Sequence, residues 1–308
     1  MKVVVTGSLS FDQVMSMPGR FKDYLMPDKL HMINVSFLME TFSRHFGGTA
    51  GNQAYTLGLL GVKPMVVGTA GKDFGKYKAR LKLVGADTSG IKIDKRKFTA
   101  SGWCMTDRDD NQIWGFYSGA MAGDKNLSLK GKLRVGDLAA ITPTEPLAMA
   151  KFIQECRQNQ YRFLFDPAFQ IARFSRSSLK AGVAGAEILI GNDYEIALLE
   201  KRVSLKNNKL IITTLGKKGS LIQMGKVQYK IPIAKAKNCK DPTGAGDAYR
   251  AGFLAGYLKK LPMPVCGRMG ALAAAYTVEK EGTQTHKFSL TEFKKRYKSN
   301  FKHELRYC

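Results

Sequence analysis

Short runs of β-branched and aliphatic residues recur along the chain, and helical spacing fills several of the gaps between them. The runs Val3–Thr6, Met65–Val67, Leu138–Ile141, Phe163–Phe165, Ile188–Ile190 and Leu210–Thr213 predict strands. Strands that alternate with helices build a mostly parallel sheet covered on both faces, so the pattern predicts a three-layer α/β/α architecture. Ligands of such sheets gather beyond the carboxyl ends of the strands.

Two segments break this rhythm. Residues 11–46 and 96–118 read as strands with no helix between them. In the second, "SGWCMTD" and "QIWGFYS" flank the turn "RDDN", which predicts a hairpin. Together the two segments predict a small β-sheet lid contributed from two places, over the ligand end of a large α/β domain made of residues 1–10, 47–95 and 119–308. Extra strands on the main sheet are the alternative. The chain closes on an amphipathic helix: Ser289 and Glu292 have capping-box spacing, and Leu290, Phe293, Tyr297, Phe301 and Leu305 share one face. Lys294, Lys295, Arg296, Lys298 and Lys302 cover the other, the pattern of a solvated face.

Composition fits an ordinary globular protein. Hydrophobic residues make up 44% and charged residues 24% of the 308, enough apolar material for a core. No apolar run approaches the ~18 residues of a membrane span. The opening "MKVVVTG" is already a strand and leaves no room for a signal peptide, so a cytoplasmic protein is expected. The cysteines at 104, 156, 239, 266 and 308 form no CxxC pair, which argues against a zinc site or a disulfide framework. The formal net charge of +24 is unusual. It is compatible with a nucleic-acid partner or with attraction for anionic substrates such as nucleotides, but the lysines are spread along the whole chain. A lysine-rich solvated surface is the expected reading, with neither nucleic acid nor membrane as partner.

Several chemistries lack their motif. "GTAGKDFGK" looks like a Walker A sequence, but Lys72 is followed by Asp73 and the glycine spacing is wrong. There is no GxGxxG after the first strand, no HExxH and no GxSxG. The four histidines show no metal-cluster spacing. The positive signal is "KDPTGAGDAYRAGF", residues 240–253, a turn that opens a helix rich in small residues. Gly244, Ala245 and Gly246 leave backbone N–H groups sterically open, and successive N–H groups at a helix N-terminus hold an anion. Asp247 follows in the first helical turn, where the helix dipole is expected to lower its pKa. An ionised carboxylate beside an anion hole suits phosphoryl transfer to an alcohol: the base takes the hydroxyl proton while the N–H groups face the transferred phosphate. A plain helix cap is the alternative for Asp247.

At these residues the chain resembles the ribokinase (PfkB-type) family of sugar and nucleoside kinases. "DPTGAGDAYRAGF" is similar to that family's C-terminal signature, and "FGGTAGNQAYTLGLLG" (46–61) to its N-terminal one. "GSLSFD", "GNDYE" and "TLGKKGS" appear in the family's order, so the resemblance spans most of the chain. It implies a ribokinase-like fold, ATP and Mg²⁺ as cosubstrate and cofactor, and a role for each matching position. Asp12, Gly47, Gly48 and Asn52 would face the hydroxyls of the acceptor, with a helix N-cap as the other reading of Asn52. Asn192 and Glu195, one helical turn apart, would organise Mg²⁺ through waters, or would simply start a helix. Thr214, Gly216 and Gly219 would border ATP. Asp241 and Thr243 would support the turn and, with Gly282, a monovalent-cation site for K⁺.

Within that family the chain leans toward nucleoside kinases, adenosine kinases among them. Pro242, "DAYRAGF", "TDRDDNQIWGFYSGAM" and "EGTQT" resemble archaeal and bacterial nucleoside kinases, and "FDPAFQ" lacks the D-x-N-x-R pattern of many sugar kinases. Trp103, Trp114, Phe116 and Tyr117 of the lid would enclose a base or form the lid's own core. The expected function is transfer of the ATP γ-phosphate to the 5′-hydroxyl of a ribonucleoside, with a sugar or sugar-phosphate kinase as the alternative. A monomer and a lid-mediated homodimer are both compatible with an exposed β-lid.

Overall fold

Every aliphatic run singled out above is a strand in the computed structural model, which describes residues 1–306. In the first third of the chain come β1 (Val3–Thr6), β2 (Ser10–Ser16), β3 (Thr41–Gly47), α1 (Thr49–Leu59), β4 (Met65–Gly71), α2 (Gly75–Leu83) and β5 (Ile91–Asp94). The middle holds β6 (Ala100–Thr106), β7 (Gln112–Tyr117), β8 (Leu138–Ile141), α3 (Pro146–Gln158), β9 (Arg162–Phe165), α4 (Arg176–Gly185), β10 (Ile188–Asn192) and α5 (Asp193–Glu200). The rest comprises β11 (Ile211–Thr214), β12 (Ser220–Met224), β13 (Val227–Ile231), α6 (Ala245–Leu258), α7 (Met263–Val278) and α8 (Leu290–Phe301).

The main sheet runs β13-β12-β11-β10-β9-β8-β1-β4-β5. It is parallel from β11 to β5, and β12 and β13 add an antiparallel edge. Its central strands are apolar on both faces because helices cover both. In β1, Val3 and Val5 join one core cluster, with residues of α1, α6, α7 and α8, while Val4 joins the other, with residues of α3 and α4. β5, β12 and β13 escaped sequence reasoning because each carries polar or exposed positions, as in "IKID" and "VQYKI".

β3-β2-β6-β7 form a separate four-stranded sheet. The β6–β7 hairpin occurs as expected, and β2 pairs with β6 in parallel, joining the two segments. Residues 17–40 are not strand: short 3₁₀ turns at Phe21–Asp23 and Pro27–Met32 interrupt them. Pro18 and Pro27 lack the N–H that a ladder needs, which explains the break.

α8 starts with the capping box of Ser289 and Glu292. Phe293, Tyr297, Phe301 and Leu305 are buried, but Leu290 is exposed and Leu305 lies beyond the helix, which ends at a left-handed Lys302. Cys104, Cys156, Cys239 and Cys266 are free thiols, and Cys308 lies outside the described residues. Among the described residues no helix is long and apolar enough to cross a membrane. Phe293 packs against Tyr276 and Phe288, so it anchors α8 to α7. Phe293→Ala is expected to cost about 3–5 kcal/mol, read as a lower urea midpoint with an unchanged slope.

Candidate active site

The carboxyl ends of β9, β10 and β11 lie side by side and deliver Asp166, Asn192 and Thr214 to one rim of the main sheet. The turn 241–246 and the start of α6 meet this rim through Arg250. Asp241 braces the turn. Its Oδ1 accepts from the N–H of Thr243 at 2.8 Å and its Oδ2 from the N–H of Gly282 at 3.0 Å. Gly244 caps α6 in the left-handed region (φ 77°), and a Cβ there would lie 2.7 Å from the Thr283 side chain, so glycine suits the position twice over.

Of the three N–H groups expected to face an anion, one is engaged within the turn. The Ala245 N–H closes a turn onto the Pro242 carbonyl at 3.2 Å, and Ala248 makes the first helical bond, to Gly244. The N–H groups of Gly244, Gly246 and Asp247 have no partner among the described residues. They are the donors left for an anion, and the positive end of the helix dipole reinforces them.

Asp247 is also not the low-pKa carboxylate that the dipole alone predicts. Protein crowds the carboxyl although part of its surface stays open, and this desolvation pushes its pKa up. Arg250 opposes the rise, as do hydrogen bonds from Asn52 and Gln53. Desolvation is the largest contribution and outweighs the opposing charge and hydrogen bonds. The Nδ2 of Asn52 donates to Asp247 Oδ2 at 2.8 Å, and Gln53 donates to the other oxygen at 3.4 Å. Asn52 is not a helix cap, since Gly48 holds that place. Its carbonyl oxygen accepts from Thr283 (2.6 Å) and Gln284 (3.0 Å), so the amide has one orientation and one N–H left over.

On the smaller sheet, Asp12 of β2 pairs in register with His45 and Gly102. Burial, and next the charge of Asp247, push the Asp12 pKa up to about 6, against a hydrogen bond from Ser10. Gly47 makes room for this carboxylate, because a Cβ there would lie 2.1 Å from Asp12 Oδ2. Strand alternation sorts the aromatics of the smaller sheet. Phe116 pairs with Gly102 and Trp114 with Cys104, on the face that carries Asp12; Trp103 and Tyr117 fall on the other. All four rings are more than 40% exposed, so they form no lid core.

On the other side of α6, Asn192 and Glu195 make a reciprocal capping box that opens α5. Glu195 Oε2 accepts from the Asn192 N–H, while Oε1 has no partner among the described residues. Thr214 pairs with Asn192 across β10–β11, and Gly216 and Gly219 hold positive φ in the loop that follows. Sequence reasoning passed over Arg250, Asp166, Gln53 and Gln284. The available signal was Arg250 itself, a lone charge three residues after Asp247 on an otherwise small and apolar helix face.

Known proteins resemble this chain over most of its length. The model of the pfkB family carbohydrate kinases matches residues 22–289. A nucleoside kinase of Methanothermobacter thermautotrophicus is 31% identical over 306 residues, covering 92% of this chain and 94% of that protein. One from Methanocaldococcus jannaschii is 30% identical over 279 residues, covering 86% and 89%. The structure of Burkholderia thailandensis nucleoside kinase in complex with inosine superposes with a TM-score of 0.86 at 30% identity, covering 98% of this chain and 99% of that one.

The facing of Asp12 and Asp247 can be measured directly. Asp247→Asn removes the neighbouring charge, so the Asp12 midpoint, followed by ¹³C NMR of its carboxyl carbon, is expected to move down from about 6 toward the ordinary carboxylate value. An unchanged midpoint would mean that the two carboxyls do not sense one another.

Proposed function

The chain belongs to the pfkB family of carbohydrate kinases, and within it we propose that this member is an ATP-dependent kinase of the 5′-hydroxyl of a ribonucleoside, adenosine or a wider set. The observation that carries the nucleoside reading is the lid face. A Cβ at Gly102 would come within 3.1 Å of the Trp114 ring and 3.5 Å of Asp12 Oδ1, so a hydroxyl-binding acid and an aromatic surface adjoin on one face. A free sugar needs only the acid; a nucleoside uses both, its ribose on Asp12 and its base against Trp114 and Phe116. Relatives that are nucleoside kinases support the same reading.

In this reading the acceptor oxygen attacks the γ-phosphorus, the bond from that phosphorus to the β–γ bridging oxygen breaks, and the hydroxyl proton passes to Asp247. Asn52 and Gln53 aim the carboxylate. The N–H groups of Gly244, Gly246 and Asp247 receive charge on the transferred phosphoryl group. Thr214, Gly216 and Gly219 border ATP, and closing the lid would exclude water. The free Oε1 of Glu195 fits Mg²⁺ held through its own waters, and the described residues contain no cluster that would strip the ion of its shell. Mg²⁺ there would neutralise charge on the phosphates. Asp241, Thr243 and Gly282 brace the turn, and K⁺ beside them remains part of the proposal.

A coupled assay over adenosine, inosine, guanosine, cytidine, ribose and fructose 6-phosphate tests the substrate class, with turnover expected on nucleosides; turnover confined to the sugars overturns it. Loss of base stacking in Trp114→Ala is expected to raise KM for the nucleoside by the equivalent of about 1–3 kcal/mol. Asp247→Ala is expected to lower kcat by about 10²–10⁴-fold while ATP binding, followed by calorimetry, persists; a near-normal kcat refutes the base.

A further inference from the structure

Arg250 has no role in the chemistry described so far, yet its side chain is the best-enclosed cation near the site. It lies one helical turn after Asp247 and is 7% exposed. Its Nε lies 2.5 Å from Asp166 Oδ2, and its Nη2 donates to Asp166 Oδ1 at 2.9 Å. The same Nη2 is 4.0 Å from Glu195 Oε2 on α5. Its Nη1 lies against the anion turn, where a Cβ on Gly246 would come within 2.8 Å. One guanidinium therefore grips the acid at the end of β9, lies 4.0 Å from the acid that opens α5 and fills the space beside Gly246 in the turn, and its charge acts on Asp247.

We propose that Arg250 is a positioning residue: pinned by Asp166, its guanidinium fixes the backbone at Gly246 and sets the orientation and charge of Asp247. This inference rests on Asp247 being the base. The other groups around Asp247 cannot supply the charge. Asp12 faces it from β2, Asp166 from the end of β9 and Tyr77 from α2, while α1 offers the neutral Asn52 and Gln53. Of these, Arg250 alone is a cation. Without it Asp247 would face acids and neutral groups only, and would take up its proton at higher pH.

Single-turnover rates measured against pH test the assignment. Arg250→Met is expected to slow phosphoryl transfer on the order of 10²-fold through misplacement, with little change in KM. The acid limb of its profile should move up by about 1 pH unit or more. Arg250→Lys should return the limb toward its original position but recover less of the rate, because an ammonium lacks the planar fork that grips Asp166. A slower enzyme whose acid limb stays in place would make Arg250 purely structural and overturn the inference. If Arg250→Met does not fold, Asp166→Asn carries the test. It unpins the guanidinium, so phosphoryl transfer is expected to slow as in Arg250→Met, and a full rate overturns the proposal. Asp247→Asn separates the two readings. Full activity there defeats the base itself, whereas an inactive Asp247→Asn with an unmoved limb in Arg250→Met or a full rate in Asp166→Asn defeats this inference alone.

Discussion

A carboxyl enclosed by protein at the start of a helix needs compensation, and the arrangement around Asp247 supplies it from three directions. Arg250 gives charge, Asn52 and Gln53 give hydrogen bonds, and the first turn of α6 gives unpaired N–H groups on the adjacent side. Each contribution demands order elsewhere. Asn52 can donate to Asp247 only with its carbonyl oxygen turned away, and Thr283 and Gln284 fix that orientation. Gln284 in turn donates to the Tyr77 hydroxyl, which donates to the carbonyl of Gly47. Gly47 ends the strand that enters from the smaller sheet. A continuous set of hydrogen bonds thus runs from the carboxyl to the junction of the two sheets. Asn52, Thr283, Gln284 and Tyr77 are almost fully buried, so a break at any one of them leaves a polar group without a partner.

The fold was legible in the chain wherever one strong physical signal acted alone. β1, β8, β9 and β10 are covered on both faces, and their unbroken aliphatic runs report it. The β6–β7 hairpin announced itself through alternation and a turn of Arg, Asp and Asn. Strands whose stability comes from position in the sheet were less visible. β13 is an edge with mostly exposed residues, and its five positions alternate too weakly to stand out. Residues 17–40 erred in the other direction: their apolar content looked like strand, but prolines interrupt the ladder and the apolar groups serve local clusters such as Phe21, Tyr24 and Phe37.

The site divides along the same line. Positions set by backbone geometry, such as Gly244 and the residues of the two capping boxes, could be read from residue type and spacing. Positions set by convergence of distant segments could not. Asp166 and Arg250 are 84 residues apart in sequence, and Asn52 and Thr283 are 231 apart. Nothing local marks such pairs. The pKa of Asp247 is the instructive case: helix position alone argues for a low value, and only the surrounding protein reverses the sign. Ala245 makes the same point for the backbone, since its donor is spent on a turn that residue type does not reveal.

Placing Asp12 on the smaller sheet and Asp247 on α6 has a consequence of its own. Each carboxyl is desolvated, and Asp247 raises the pKa of Asp12. Bringing β2 closer to α6 would strengthen that repulsion unless something neutral or cationic lies between the two acids. A hydroxyl donor is such a group, because it gives each carboxylate a hydrogen bond and spaces them apart. The smaller sheet and the helix turn therefore carry a pair of like charges, and a hydroxyl-bearing ligand of the kind proposed would ease the repulsion between them.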